Sequence, residues 1–165
     1  MNRPQKVRVS NRVLAVDPGY DRLGLAVLEG DPSKPTLVWS DCVTPEKGDA
    51  YERLGAVLGA VESAIKKHKP NALAIETLFF SKNVKTALGV AEARGAILAA
   101  AGKAGLRVME FSPAHVKIAV TGYGNADKKA VASMVPKLVT LSKKKRLDDE
   151  LDAIAVGIAA LPSLR

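Results

Sequence analysis

The chain has 165 residues and a formal net charge of +8 at pH 7, which is enough length for a single domain with a buried core. Its one cysteine, Cys42, excludes an internal disulfide and indicates a reducing compartment, for which we expect the cytoplasm. Neither a membrane-spanning helix nor a signal peptide is predicted, because Gly or charged residues interrupt every long apolar stretch. We therefore expect one domain over residues 1–165, with residues 1–11 as a flexible basic arm.

The first half of the chain predicts three strands and a helix. The strands are predicted over Val13–Val16, Leu23–Leu28 and Leu37–Val43, and their short connections are typical of an antiparallel meander. The first strand is expected to end at a turn that begins with Asp17. Asp49 and Glu52 have capping-box spacing before a helical apolar pattern that continues to Pro70.

The second half alternates strands with helices, which predicts parallel crossovers and an α/β fold. The predicted strands are Ala72–Ile75 and Arg107–Phe111, with a long helix between them over Val84–Ala104. Ser112 and Pro113 open a short helix that ends before Gly122. Two more helices are predicted over Asp127–Leu141, where Pro136 should kink or divide the helix, and over Leu147–Leu161.

Three acidic strings stand out: LAVDPG at 14–19, LAIE at 73–76 and DELDAIA at 149–155. If the strand after the first crossover lies parallel to the first strand, Asp17 and Glu76 lie at neighbouring carboxyl ends, about 4.8 Å apart. Asp149 and Asp152 are three residues apart in a predicted helix and share one face. Four carboxylates in one pocket repel one another, so the pattern predicts either protonation or bound divalent metal.

Each acid also has an ordinary structural interpretation. Asp17 could begin a turn, Glu76 could mark where a strand meets water, and Asp149 and Asp152 could belong to a helix amino terminus. Basic residues cluster at Lys66–Lys69, Lys128–Lys129 and Lys143–Arg146, and each run alone is typical of a solvated face. An acidic pocket on a basic surface is, in combination, what a nuclease requires.

Five strings together resemble the bacterial RuvC family of Holliday junction resolvases: DPG followed by Gly24, IETLFFSKN at 75–83, AEARGAI at 91–97, HVKIAVTGYGNADK at 115–128 and DELDAIAVGIA at 149–159. The resemblance implies an RNase H-like fold with a five-stranded mixed sheet flanked by helices. It also implies a homodimer that resolves four-way junction DNA by paired symmetric nicks. A branch-migration complex of the RuvA–RuvB type is implied as a partner.

The resemblance assigns catalytic and metal-binding roles to Asp17, Glu76, Asp149 and Asp152. An additional acid, Asp148, leaves open which neighbour serves as the fourth ligand, and the three-residue spacing to Asp152 favours Asp149. Carboxylate oxygens suit Mg²⁺ or Mn²⁺, for which we expect two ions per site and products with 5′-phosphate and 3′-hydroxyl ends.

The resemblance also assigns DNA-directed roles. Phe79 matches an aromatic residue that stacks on a base near the crossover, whereas the adjacent Phe80 is expected to be buried. Lys117 and Lys128 match basic residues tied to cleavage, and Lys128 could neutralise charge on the scissile phosphate. Nonspecific phosphate contact is an open alternative for both lysines. Lys82 and Lys85 are further candidate substrate contacts.

Two other functions compete with the nuclease. The DxGxxxxG-like stretch from Asp17 to Gly24 resembles a phosphate loop of actin-like kinases and ATPases, but a second loop and an adenosine site are not found. A noncatalytic junction-binding protein would use only the basic surface. Among the remaining groups, His68 is expected to be solvated or to carry charge at a helix end, and Cys42 to be a packed strand thiol.

Overall fold

The computed structural model describes residues 11–19, 21–78 and 84–164, without the side chains of Val84 and Lys85. The predicted basic arm therefore lies, except for its last residue, outside the described part. Within these ranges the strands are β1 (Arg12–Pro18), β2 (Leu23–Asp31), β3 (Lys34–Val43), β4 (Ala72–Glu76) and β5 (Arg107–Phe111). The helices are α1 (Ala50–His68), α2 (Val84–Lys103), α3 (Pro113–Thr121), α4 (Lys128–Leu138), α5 (Asp148–Ala160) and a short 3₁₀ helix, Leu161–Leu164.

The strands form one mixed sheet in the order β3-β2-β1-β4-β5. The pairs β1–β2 and β2–β3 are antiparallel, which confirms the predicted meander. The pairs β1–β4 and β4–β5 are parallel, and α1 and α2 supply the crossovers between them. The predicted five-stranded α/β architecture is confirmed.

The helix ends follow the sequence signals with one exception. The Glu52 carboxylate accepts a hydrogen bond from the Asp49 backbone N–H at 3.0 Å, and the Ser112 hydroxyl accepts one from His115 N–H at 3.2 Å. The exception is α4, which ends at Leu138 rather than at Leu141. Pro136 does not divide this helix, but it removes one backbone donor near the end, and the helix stops two residues later.

Three strand boundaries differ from the prediction by two residues or more, and one of them is the end of β2, which continues to Asp31 instead of Leu28. β1 continues through Asp17 to Pro18 because Asp17 pairs with Gly24 of β2, so Asp17 does not begin a turn. β3 begins at Lys34, three residues before the predicted start, and includes Pro35. A proline is compatible with this position because β3 is an edge strand.

The two faces of the sheet carry different side chains. The face covered by α1 and α2 is built from large aliphatic residues: Leu14, Val16, Leu25, Val27, Leu73 and Ile75. The face covered by α3, α4 and α5 has several alanines among its strand residues: Val13, Ala15, Ala26, Leu28, Ala72 and Ala74. Because side chains alternate along a strand, Asp17 shares its face with Ala15, and Glu76 with Ala74. Both acids therefore lie on the α5 side.

Glycines bring α5 very close to the sheet. A Cβ atom added to Gly157 would lie 2.3 Å from Leu28 Cδ1 and 3.3 Å from Ala15 Cβ. A Cβ atom added to Gly24 would lie 1.9 Å from the carbonyl oxygen of Asp149. Side chains at these two positions would push the helix away, so the glycines fix the distance between α5 and the acids of β1 and β4.

Three smaller expectations have structural outcomes. His68 is not solvated: it is 8% exposed, and its ring stacks on Trp39 with centroids 4.9 Å apart. Burial lowers the pKa of His68, which disfavours a helix-end charge. Cys42 lies in β3 as predicted, and burial raises the pKa of its thiol to about 11, against a nucleophilic role. No helix in the described part is long and apolar enough to span a membrane.

Candidate active site

Three predicted acids and both predicted cleavage lysines line one pocket of about 210 Å³: Asp17, Glu76, Lys117, Lys128 and Asp152. The strand register pairs Val16 with Ile75, so the next residues, Asp17 and Glu76, lie side by side at the end of the parallel pair. The helix α5 packs over this sheet face and adds Asp152. The carboxyl ends of parallel strands are where open α/β sheets usually bind ligands.

The residue Lys128 lies at the first position of α4, where the Asp127 side chain caps the helix by accepting a hydrogen bond from Ala130 N–H at 2.7 Å. The Lys128 ammonium forms an ion pair with the Asp152 carboxylate, with 2.9 Å between Nζ and Oδ2. The lysine side chain is 62% exposed, and it therefore lies at the pocket entrance. It neutralises one of the three acids and remains accessible to a substrate phosphate.

The pocket holds more negative charge than its lysines compensate. Burial raises the pKa of Asp17 to about 7, and the charges of Asp152, Glu76 and Asp149 add to the effect. Burial and the charge of Asp152 raise the pKa of Glu76, against the opposing influence of Lys117 and Lys128. Burial also raises the pKa of Asp152, although the Lys128 hydrogen bond acts in the opposite direction. Such shifts cluster at functional sites.

Asp149 and Asp148 have different neighbours. Asp149 is near the β1–β2 turn, where its Oδ2 is 3.0 Å from Arg22 Nε, and its charge acts on Asp17. Asp148 is exposed and lines a neighbouring depression with Lys128 and Asp152. Neither acid lines the main pocket. The preference for Asp149 as fourth ligand stays a prediction, and its proximity to Asp17 is compatible with it.

The carboxylates suit a hard cation chemically, but their arrangement needs adjustment to hold one. Within the described ranges, no three His, Cys, Asp or Glu side chains are close enough together to hold a metal ion as they stand. The ion pair with Lys128 holds the Asp152 carboxylate. The donor set is all oxygen, as Mg²⁺ and Mn²⁺ prefer, so the residues fit these ions once Asp152 turns from its lysine.

Sequence reasoning missed Arg94, which forms a hydrogen bond with the last residue of β4, Glu76. This residue is 8% exposed on α2, and its Nη1 donates to the backbone carbonyl of Glu76 at 2.8 Å. Its Nη2 donates to Glu110 Oε2 at 2.6 Å. An Arg next to the apolar helical run at residues 95–101 was the available signal, because a buried guanidinium needs such partners.

Some predicted site residues cannot be placed. Phe79, Phe80 and Lys82 lie outside the described residues, as does the side chain of Lys85. Their DNA-directed roles stay predictions. The phosphate-loop alternative, in contrast, is weakened: Gly24 lies within β2, and its lack of a side chain is required by the Asp149 carbonyl oxygen.

Comparisons with known proteins agree on one family. The family model described as crossover junction endodeoxyribonuclease RuvC matches residues 13–160. The RuvC of Thermosipho melanesiensis is 44% identical over 147 residues, which cover 88% of this chain and 94% of that protein. The RuvC of Moorella thermoacetica is 41% identical over 147 residues, 88% of each chain. The structure of Thermus thermophilus RuvC in complex with a Holliday junction substrate matches with a TM-score of 0.85 and 33% identity, covering 93% of this chain and 94% of that one.

Proposed function

The chain belongs to the RuvC family of crossover junction endodeoxyribonucleases, and from this premise we propose that it resolves four-way Holliday junctions in DNA recombination and repair. It is an endonuclease that nicks the junction at paired symmetric positions. The observation that carries the proposal is the pocket shared by Asp17, Glu76 and Asp152, with Lys117 and Lys128 beside them. A solved relative with 33% identity holds a Holliday junction substrate, which supports the same substrate class here.

The acids would hold Mg²⁺ or Mn²⁺, with two ions per site. When bound, these ions would activate the attacking water and stabilise the leaving 3′ oxygen, leaving 5′-phosphate and 3′-hydroxyl ends. Asp17 and Glu76 would supply ligand oxygens from adjacent strands, Asp152 would supply one from α5, and Asp149 is the proposed fourth acid. Asp17 must lose its proton to serve, since its pKa lies near 7 without a cation.

The lysines of the pocket act on the phosphate. Lys128 pairs with Asp152 in the absence of a cation, and a metal at that carboxylate would release the ammonium toward the scissile phosphate. Lys117 lies on α3 at the same pocket and its charge acts on Glu76. Phe79, Lys82 and Lys85 complete the proposed DNA contacts, with Phe79 stacking on an unpaired base.

We also propose that the protein acts as a homodimer, because two symmetric nicks require two active sites. The exposed side of α2 supports this assembly, since Leu88 is 61% exposed and Gly95 and Ala99 are exposed on the same helix. Small residues allow close approach of a second helix. A RuvA–RuvB branch-migration complex as partner and a cytoplasmic location are proposed from family membership.

The test is cleavage of a synthetic four-way junction by the purified chain with Mg²⁺ or with Mn²⁺. We expect paired nicks at symmetric positions, while linear duplex of the same sequence stays largely intact. Ligation of the nicked products by a ligase would check the predicted 5′-phosphate and 3′-hydroxyl ends. Junction binding without cleavage in either metal would identify a noncatalytic junction-binding protein instead.

A further inference from the structure

Glu150 lies between two proposed catalytic acids in sequence, but its own carboxylate has a different environment. It is 3% exposed and belongs to the first turn of α5. Its Oε1 accepts a hydrogen bond from the Ser40 hydroxyl of β3 at 2.6 Å. The same oxygen is 2.9 Å from Lys144 Nζ and 3.2 Å from Arg146 Nε. One buried carboxylate therefore joins the edge strand, the basic loop and α5.

The basic run at residues 143–146 contains two cations that pair with Glu150, namely Lys144 and Arg146. The ammonium of Lys144 donates to the Ser40 backbone carbonyl at 3.0 Å as well as pairing with Glu150. The Arg146 side chain is 7% exposed, and its Nη1 donates to the Ser142 carbonyl at 3.0 Å. Two of the four cations thus pair with Glu150, although the Lys144 side chain is still 46% exposed, and Lys143 and Lys145 are exposed as well.

The first turn of α5 depends on the contacts of Glu150 because no capping side chain stabilises this end of the helix. Leu147 occupies the N-cap position, and no side chain caps the helix there. Ser, Thr, Asp or Asn would ordinarily satisfy the free N–H groups at this position. The same turn carries Asp149, and Asp152 follows in the next turn. Any movement of this helix end would displace both acids from Asp17 and Glu76.

We propose that Glu150 is a positioning residue for the acid pocket, which it serves by fixing the start of α5 to Ser40, Lys144 and Arg146. The proposal rests on the nuclease function proposed above. Groups that orient metal ligands from behind typically change metal affinity or activity by about 10- to 100-fold when they are substituted. Glu150 acts here through the backbone of α5, and it does not contact the DNA or the metal.

The test is Glu150→Gln, which keeps the size of the side chain and an acceptor for Ser40 but removes its charge. We expect the half-saturating Mn²⁺ concentration for junction cleavage to rise by about 10- to 100-fold, with the junction Kd changed by less than about twofold. Two further readouts, like the junction Kd, do not need cleavage. The rise in Tm on adding Mn²⁺ should shrink, and hydrogen exchange should accelerate at the amides of Glu150 and Leu151, which bond to the Leu147 carbonyl.

Three further variants make the result specific. Glu62→Gln removes an exposed carboxylate paired with Lys103 and should leave all four readouts unchanged. Lys145→Gln removes an exposed cation from the same loop and should not alter the Mn²⁺ requirement. If Glu150→Gln does not fold, the double variant Glu150→Gln/Arg146→Gln removes the unpaired buried cation and should still show the raised Mn²⁺ requirement.

A Glu150 variant with wild-type Mn²⁺ requirement and wild-type exchange in α5 would overturn the proposal. So would a variant that only weakens junction binding, as loss of a phosphate contact does. Failure of the nuclease function is distinguishable, because the wild-type chain would then not cut. The Tm shift and the exchange rates would still test the role of Glu150 in that case.

Discussion

Glu150 and Asp152 are two residues apart on α5, and their carboxylates have opposite electrostatic environments. Glu150 is 3% exposed and meets two cations and a hydroxyl. Asp152 has one lysine partner and shares a pocket with Asp17 and Glu76. The first cluster has surplus positive charge, and the second has surplus negative charge. The protein therefore stabilises one acid with its own groups and leaves the other for an external cation.

The number of cations beside each carboxylate distinguishes a structural acid from a functional one better than the exposed fraction of its side chain does. Burial alone would suggest that Glu150 is the more unusual residue. Burial is the largest cause that raises the pKa of Asp17, Glu76 and Asp152, and the charges of neighbouring acids raise it further, whereas Lys117 and Lys128 act against them. Charge that a protein leaves uncompensated destabilises the fold, so its retention points to a ligand. Substitutions in the acid pocket should therefore affect cleavage more strongly than substitutions in the Glu150 cluster.

The largest effect is expected from Glu76→Gln in the acid pocket. Loss of one ligand oxygen should reduce junction cleavage by about 1,000-fold or more, since metal stabilisation of the transition state is worth several kcal/mol. Junction binding should be kept or strengthened, because one negative charge near the DNA is removed. Cleavage rates and gel-shift titrations measure the two quantities. Cleavage at the normal rate would show that Glu76 is not part of the metal site.

A smaller loss is expected from Lys128→Ala, which removes the only charge partner observed for Asp152 within the described residues. We expect cleavage to fall by about 100- to 1,000-fold at saturating metal, as for loss of one group that stabilises developing charge. Lys137→Ala, at the exposed last turn of the same helix, is the matched control and should cut nearly normally. Equal losses of cleavage in the two variants would show that Lys128 is only one of several nonspecific phosphate contacts.

The close approach of α5 can be tested with Gly157→Ala. The new Cβ would meet Leu28 Cδ1 at 2.3 Å, so we expect the free energy of unfolding to fall by about 1–3 kcal/mol. Cleavage should fall too, because α5 moves with Asp152. Gly59→Ala in α1 meets nothing within 4 Å and should stabilise the protein by about 0.5–1 kcal/mol. Denaturant unfolding measures both. A neutral Gly157→Ala would mean that the helix is not tightly seated.

The smallest effect is a pH dependence of the metal requirement. Asp17 has a pKa near 7 without a cation, so a metal must displace its proton at lower pH. The half-saturating Mg²⁺ concentration should therefore rise by up to about tenfold per pH unit below 7 and become nearly constant above it. Metal titrations of cleavage between pH 6 and 8.5 check this. A requirement that is flat across this range would place the pKa of Asp17 elsewhere.

The sequence predicted the residues of the acid pocket more completely than the contacts that hold those residues in place. Asp17 and Glu76 could be placed together because the ends of the two strands are visible in local sequence and a helical crossover favours parallel neighbouring strands. The extension of β1 through Asp17 was missed because it depends on pairing with Gly24. The contact between Glu150 and Ser40 joins residues 110 positions apart, and local sequence contains no signal for such a pair. The burial of His68 against Trp39 was missed for the same reason.

The most direct test of the uncompensated pocket is the unfolding free energy of Asp17→Asn against wild type at pH 8, with and without Mn²⁺. Because the folded-state pKa of Asp17 is raised from 3.8 to about 7, its ionisation opposes folding above pH 7, and this effect disappears below about pH 4. We predict that the metal-free variant is more stable than wild type by on the order of a few kcal/mol at pH 8, and that the gap closes as the pH falls. Mn²⁺ should stabilise the wild type more than the variant. A less stable variant, or equal stabilisation of both proteins by Mn²⁺, would contradict the proposal that Asp17 is kept for a metal.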